Sequence, residues 1–471
     1  MTSGVAEVGR ATDWAAEEFG AAELGDARLT ARLVEMARLV GAQPSASLPQ
    51  ACTGEPGALK AAYRFFDNDG VEAQEMLRSH VAATYTRVAG ERRVLTVQDT
   101  TYLDFSGRPG TTGLGPLRSL KQQGMLAHTT LAITPERLPL GLLAQQVLVR
   151  DAASYAGPTD AKERPIAEKE SSKWLHSVAA VATAATAYPN VHFVSVGDRE
   201  ADVYDLFVLA RPANVDLLVR AAQDRRVESP ERFLAATVAA APVAATTTVV
   251  VPPRNGQPGR EARLSVRHCP VTLRPPKHRA AEHLPSVAIW AVLAREEDPP
   301  AGQEPLSWLL LTTCPVESAA DALERVDWYA ARWGIELLHT VLKSGCQIEL
   351  KQLQTAERLT RCLVLYSVVA WRGLYAVMLA RAVPDASCRA LLDDAEWQAL
   401  YCLTHQTTIL PTVPPRLGDA VRWIARLGGF VPRNRTSQPG VTVLWRGFQR
   451  LYDHTAMYKV LRPTPKRRTC G

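Results

Sequence analysis

No run of apolar residues in this chain reaches the length of a membrane span. The best candidate, Cys362 to Ala382, is interrupted by Ser367, Trp371, Arg372 and Arg381, whereas a span needs about 20 consecutive, predominantly apolar residues. The opening segment, MTSGVAEVGRATDWAAEEFG, also lacks the apolar stretch of a secretory leader. Cysteine is sparse: eight in 471 residues, none in a C-x-x-C pair and none spaced with histidine as zinc ligands are. Neither a disulfide framework nor a zinc site is expected, and a reducing cytoplasm without a membrane partner fits this composition. Charge of one sign is lacking as well. Lys and Arg total 54 against 48 Asp and Glu, a net +6, too little for a histone-like polycation. Arginines nevertheless cluster locally, which permits a nucleic-acid partner without requiring one.

The rest of the composition, 46% apolar and 22% charged, is that of an ordinary globular protein, and the length predicts two to four domains. The first seventy residues read as helices. DWAAEEFGAAELGD gives a short one ending near Gly25, and Asp26 then caps ARLTARLVEMARLVG, whose Leu29, Leu33, Met36, Ala37 and Val40 share an apolar face. Arg28 and Arg32 lie one turn apart on this helix, and a later helix, ALKAAYRFFDN, carries Lys60 and Arg64. The pattern fits a small DNA-binding module and equally any helical domain with a solvated face.

From Val94 the period changes to that of strands. A buried strand, Val94 to Val97, runs into Asp99, and HTTLAITPERLPLGLLAQQVLVR reads as a hairpin around Pro135. A helix from about Glu168, the strand VHFVSVGD ending at Asp198, the helix EADVYDLFVLA and the strand VDLLVRA follow. This order predicts an α/β sheet with an antiparallel edge. Between about Gln223 and Pro315 the alternation gives way to β-rich sequence, read as an inserted antiparallel sheet. Its turns are expected to be basic, with Arg254, Arg260, Arg263, Arg267, Arg274, Lys277 and Arg279. A single long helix is expected from Ser318 to Ser344, an apolar one from about Arg358 to Arg381, and further helices after Pro384.

Three acids attract attention. Asp99 and Asp198 each close an apolar strand, and in open α/β sheets sites form beyond such strand ends. Each is also placed to make an ordinary turn or helix cap. On the Ser318 helix, Tyr329, Arg332, Glu336 and Lys343 fall on one stripe, so a carboxylate is flanked by cations. A metal-bound phosphate would suit that arrangement. So would an intrahelical Arg332–Glu336 ion pair on a surface helix.

Taken together, VQDTT at Asp99, GDREAD at Asp198 and the Y-(2)-R-(3)-E-(6)-K spacing of Tyr329, Arg332, Glu336 and Lys343 resemble the three motifs of DDE transposases of the insertion-sequence-four group. The likeness is to the Tn-five-type, cut-and-paste members. It continues in LGDARLTARLV, AAYRFF, EKESSKWL, PLSWLLLTTCPVES and WIARLGGF, and so extends through nearly the whole chain.

The resemblance implies a ribonuclease-H-like catalytic core over residues 73–383, with a β-rich insertion at about 223–316. It also implies an all-helical N-terminal DNA-binding domain over 1–72 and a helical dimerisation domain over 384–471. Asp99, Asp198 and Glu336 would be the metal-binding catalytic triad, holding two Mg2+ ions, or Mn2+ in their place, about 3.5 to 4 Å apart. Such enzymes bind terminal inverted repeats, nick the ends, form and reopen a hairpin, and join the 3′ ends to target DNA. Hairpin formation forces a base out of the stack, and Trp308 matches the family's stacking position. Tyr329, Arg332, Lys343 and, less directly, Arg220 would contact phosphates. Arg28, Arg32, Lys60 and Arg64 would contact the inverted repeat. The partners implied are double-stranded DNA and a second copy of the chain in a synaptic complex, in a bacterial cytoplasm at the nucleoid. On sequence alone two other readings stay open: a regulator that binds ends without cutting, and a ribonuclease-H-like nuclease acting on other nucleic acid.

Overall fold

The computed structural model describes residues 13–53, 56–152, 166–251, 259–300, 302–432 and 439–462. Arg254 and the basic tail of Lys466, Arg467 and Arg468 lie outside them. The N-terminal segment forms α1 (Trp14–Phe19), α2 (Ala27–Ala42), α3 (Leu48–Ala51), α4 (Pro56–Phe66) and α5 (Ala73–Val88). The α2 helix starts where expected, with the Asp26 carboxylate accepting the Arg28 N–H at 2.8 Å. Helix α1 stops at Phe19 rather than near Gly25. The intervening turn uses Gly25 at φ 76°, a left-handed conformation that glycine adopts without steric penalty.

The central strand β1 (Arg93–Asp104) does not end at Asp99, as the sequence reading had it, but continues five residues beyond it. It persists because β3 (Gln123–Ile133) pairs with it antiparallel along its whole second half, from Leu95 opposite Ile133 to Asp104 opposite Gly124. The short β2 (Gly115–Pro116) and β4 (Pro139–Leu148) both pair with β3. On the other side of β1, β5 (His192–Gly197) and then β6 (Val215–Arg220) run parallel to it. The order β4-β3-β1-β5-β6 is the mixed sheet that the sequence predicted. Gln145 and Gln146 mark its two covering layers, since adjacent residues of a strand face opposite sides. Gln146 donates to Ser177 on α6 (Ser172–Ala187) at 3.3 Å, and Gln145 donates to Ser367 on a long apolar helix at 2.9 Å.

The β-rich segment is not a sheet of its own. After the short helices α7 (Tyr204–Val208) and α8 (Leu234–Ala240), it forms β7 (Ala245–Val251), β8 (Arg260–Leu273), β9 (Val287–Glu296) and β10 (Ser307–Thr312). Strand β10 pairs antiparallel with β6, so the sheet runs on through β10-β9-β8-β7 to ten strands. A bare edge at β6 would have left a row of unpaired backbone groups, and the insertion satisfies them. The expected basic turns are corrected in part, since Arg274, Lys277 and Arg279 do lie between β8 and β9. Arg260, Arg263 and Arg267 lie within β8, and Arg260, Arg267, Arg274 and Arg279 are paired with Glu296, Glu297, Glu228 and Asp205. Among the described residues of the segment, Arg263 and Lys277 stay exposed with no described ion pair.

The Ser318 helix starts on a capping box, Ser318 with Asp321, but it is not continuous. It forms α9 (Ala319–Ala331), turns at Arg332, resumes as α10 (Trp333–Thr340) and ends in a π-helical turn, Val341–Gly345. At the turn, the Arg332 N–H reaches only back to Tyr329 O, at 3.2 Å. This is the tighter 3₁₀ closure. Helix α11 (Ala356–Ala382) follows, and it supplies the layer opposite α6. By length and composition it is apolar enough to cross a membrane, but 78% of its most apolar window is buried inside the protein. It is the central core helix. Helices α12 (Asp394–His405), α13 (Leu417–Leu427) and α14 (Val441–Leu461) pack around its C-terminal end through Val377, Leu400, Ile424 and Leu444.

The N-terminal helices share the main core: Phe19, Leu33, Phe65 and Phe66 belong to one apolar cluster with Val97, Leu103 and Tyr366. Arg361 on α11 donates to Phe66 O and Val71 O, and the Lys351 ammonium to Pro44 O and Ala46 O.

Candidate active site

The last parallel pair between β1 and β5 is Val97 opposite Val196. Asp99 and Asp198 each lie two residues further on, at equivalent heights beyond the point where β5 ends and the strands separate. Asp99 uses one oxygen to accept the Thr100 N–H at 2.8 Å. Asp198 accepts the Glu200 N–H at 2.8 Å and caps the 3₁₀ turn Arg199–Ala201. The cap reading thus holds for Asp198, whose charge nevertheless bears on Asp99 and Glu336. This turn is tightly built, because a methyl group on Gly197 would come within 2.4 Å of the Ala201 Cβ. The last acid of GDREAD has a purely structural place. Asp202 is 4% exposed and accepts from the backbone of Ala222 and Gln223 and from Arg225.

The third carboxylate arrives from α10. Arg332, at the break between α9 and α10, donates to Glu336 at 2.5 Å and lies 3.8 Å from Asp99. The side chains of Arg332, Asp99 and Glu336 are 13%, 22% and 25% exposed. The expected intrahelical ion pair is therefore present, but in a cleft and shared with a residue from β1. Burial, then the negative charge of Glu336, pushes the Asp99 carboxyl up to about 7, against the pull of Arg332. Burial also raises Glu336, with Asp198 adding to the effect. The second Glu336 oxygen is buried with no hydrogen-bond partner, as are Arg332 Nε and Nη1. Three hard oxygen donors that repel one another, one with a free buried lone pair, fit a divalent cation such as Mg2+ or Mn2+. One guanidinium neutralises them only in part.

Around this centre the structure gathers several of the other expected residues. Trp308 on β10 packs edge-on against Tyr329, with ring centres 5.1 Å apart, and Arg332 lies over the other ring of that pair, 5.8 Å from the Tyr329 centroid. The Trp308 ring is therefore both partly packed and next to the cleft. Arg220 at the end of β6 donates to Ser307 O at 2.9 Å, beside it. Lys343 sits in the π turn and pairs with Glu349 at 3.3 Å, and Glu349 in turn accepts the N–H of Asp104 at the end of β1. One residue the sequence reading missed is Trp333, next to Arg332 and 51% exposed. Only its adjacency to the motif arginine signalled it.

The N-terminal candidates are elsewhere. Arg28 pairs with Asp26 and Arg32 with Glu35, while Lys60 and Arg64 are exposed on α4. None of the four has a described contact with the carboxylate cluster.

A second group with metal-ligand chemistry, His192, Asp216 and Cys314, lies at the opposite ends of β5 and β6. It is closed on itself: His192 donates to Asp216 at 2.8 Å, Thr313 donates to Asp216 at 2.6 Å, and Arg93 donates to His192. Burial pushes the Cys314 thiol up to about 12. This group reads as a satisfied hydrogen-bond cluster.

The fold is a central mixed α/β sheet of the ribonuclease-H-like kind, carrying acids where its first and fourth principal strands part, between helical modules. Both modules match known families. Residues 11–71 match the family "Transposase DNA-binding", and residues 368–460 match "Transposase Tn5 dimerisation domain". The chain therefore carries a transposase DNA-binding module at one end and a Tn5-type dimerisation module at the other, which supports a DNA transposase.

Proposed function

We propose that this protein is a cut-and-paste transposase of the DDE class, within the insertion-sequence-four group, and that Asp99, Asp198 and Glu336 are its catalytic carboxylates. The observation that carries the reading is the convergence of Asp99 and Glu336 on Arg332, near enough to Asp198 to feel its charge, in a chain whose two ends match transposase modules. Its domains would be the N-terminal helices to about residue 72, the sheet and its helices to about 383, and the C-terminal helices.

The three carboxylates would hold Mg2+, or Mn2+, in a two-metal arrangement. Bound there, the metal supplies Lewis-acid activation of a water or 3′-hydroxyl and neutralises charge on the leaving 3′-oxygen. The chain's own groups do the rest. Thr100 and Glu200 N–H groups orient Asp99 and Asp198. Arg332 keeps Glu336 directed at the cleft and offers its unpartnered N–H groups to a non-bridging phosphate oxygen. Lys343 exchanges Glu349 for a phosphate, and Arg220 contributes positive charge near Trp308. The Trp308 ring, already edge-on to Tyr329, receives the base displaced when a hairpin forms, a contact worth about 1 to 3 kcal/mol. Arg28, Arg32, Lys60 and Arg64 contact the inverted repeat, and the C-terminal module brings two end-bound copies together.

The test is a labelled duplex carrying the inverted repeats that flank the gene, incubated with protein and Mg2+ and resolved on a denaturing gel. A nick at the repeat boundary followed by a hairpin is expected, absent with Glu336→Ala although end binding remains. A retarded complex with no cleavage in any divalent metal would instead make the protein an end-binding regulator. Trp308→Ala is expected to slow the hairpin step more than the nick, and equal slowing of both would remove its stacking role.

A further inference from the structure

Helix α14 of the dimerisation module meets the π turn that carries Lys343, and Trp445 packs against the end of that turn. Trp445 is 8% exposed and lies in a slot between two glycines, Gly345 at the end of the π turn and Gly373 on α11. A methyl group on Gly373 would come within 2.2 Å of the indole, and one on Gly345 within 3.4 Å. At Gly373, only glycine leaves room for the ring in this position. The indole N–H donates to Gly345 O at 3.0 Å. That carbonyl is at the end of a helix, where backbone acceptors have no intrahelical partner. One turn further along α14, Gln449 donates to Ser45 of the N-terminal module at 2.5 Å.

Lys343 lies within the π turn, two residues before Gly345. The turn closes by the Cys346 N–H reaching Val341 O at 2.8 Å, five residues back. A π turn is wider than an α turn and rare outside functional sites. How far Lys343 is rotated relative to Glu336 therefore depends on whether this turn is kept. The only described side-chain hydrogen bond to the Gly345 carbonyl comes from the dimerisation module.

We infer that Trp445 is a positioning residue, by which the dimerisation module holds the π turn and directs Lys343. Displacement of α14 lets the turn relax towards an α-helix, and Lys343 rotates away from the cleft. Pairing of the two copies is thereby linked to the grip on DNA phosphate in each. The inference rests on the assignment of Lys343 to a phosphate contact.

The experiment is a double-mutant cycle on the full chain, measuring end-duplex affinity against salt concentration without divalent metal. Trp445→Phe keeps a ring in the slot and loses the N–H. Lys343→Ala should reduce the slope of log affinity against log salt by about one phosphate's worth. Trp445→Phe should weaken binding by about tenfold, the lower end of what the charge-assisted contact of Lys343 with phosphate is worth, with a similar loss of slope. In the Lys343→Ala background it should then change binding by less than about twofold. Gly373→Ala, which pushes the ring from the other side, should reproduce the pattern.

A merely structural role would lower the melting temperature and weaken binding equally in both backgrounds, and that result overturns the inference. An inert Trp445→Phe beside a normal Lys343→Ala effect also removes the inference, and leaves the phosphate assignment standing. A parental salt slope in Lys343→Ala removes the phosphate assignment and the inference together.

Discussion

Arg332 is the residue on which the candidate site turns, because it neutralises Glu336 and lies near Asp99 while its own side chain is only 13% exposed. Removing it leaves two carboxylates facing one another with little solvent. Arg332→Ala is therefore expected to cost about 3 kcal/mol of stability in metal-free protein, the usual consequence of breaking a buried pair. Denaturant melts with and without Mg2+ check this; a loss below about 1 kcal/mol, the scale of a surface pair, would mean that the guanidinium is effectively solvated. Asp99 gives a pH-dependent counterpart. Its carboxyl is raised to about 7, by burial first and then by Glu336, so the folded protein holds that proton more tightly than the unfolded chain. Stability from this group is complete below the unfolded value of about 3.9 and is lost as pH rises through about 7. Metal-free Asp99→Asn should melt higher than the parent at pH 8 and alike at pH 4, and a constant difference across that range would contradict the shift.

At the scale of elements, the sequence points to Asp99, Asp198 and Glu336 but misjudges the elements that hold them. Asp99 was read as the end of a strand because the apolar run stops at Val97. The strand continues because β3 pairs with it, a partner that local sequence does not announce. The Ser318 helix reads as continuous because Ser318 suits an N-cap, acids follow in the first turns and Lys343 lies near the end. Its break at Arg332 and its π turn depend instead on long-range contacts, with Asp99 at one point and Trp445 at another. Gly334 lies just after the break, yet a methyl group there would meet only Ile133 Cδ1, at an ordinary 3.9 Å. Glycine inside a helix is worse than alanine by up to about 1 kcal/mol. Gly334→Ala should accordingly raise stability by that order with cleavage unchanged, and a destabilised variant would show that the break itself needs glycine.

At the scale of the whole molecule, three histidines are held neutral in the interior. His128 and His339 are both depressed to about 3 by burial, and His80 is lowered by burial as well. The Leu142 N–H donates to His80 Nε2, which fixes that nitrogen as an acceptor. Below an unfolded value of about 6.5 only the unfolded chain takes up these protons, so stability falls as pH drops. The expected slope is about 1.4 kcal/mol per pH unit for each histidine. Melts between pH 7 and 5 measure it, His80→Gln should reduce the slope by one histidine's share, and a flat profile would show that the interior admits the charge. DNA binding should meanwhile weaken steeply with salt as phosphates are neutralised. Four of the insertion's arginines, Arg260, Arg267, Arg274 and Arg279, are paired with carboxylates and contribute less to it.

The order of strands and helices, the three motifs and the helical modules at either end are legible in the chain, because apolar periodicity and capping chemistry are local. Long-range packing sets the rest: the insertion completes the core sheet, Arg332 is shared between β1 and α10, and Trp445 donates to the last carbonyl of the π turn. Each of these depends on backbone edges or side chains brought together from distant parts of the chain, and no window of sequence contains both partners.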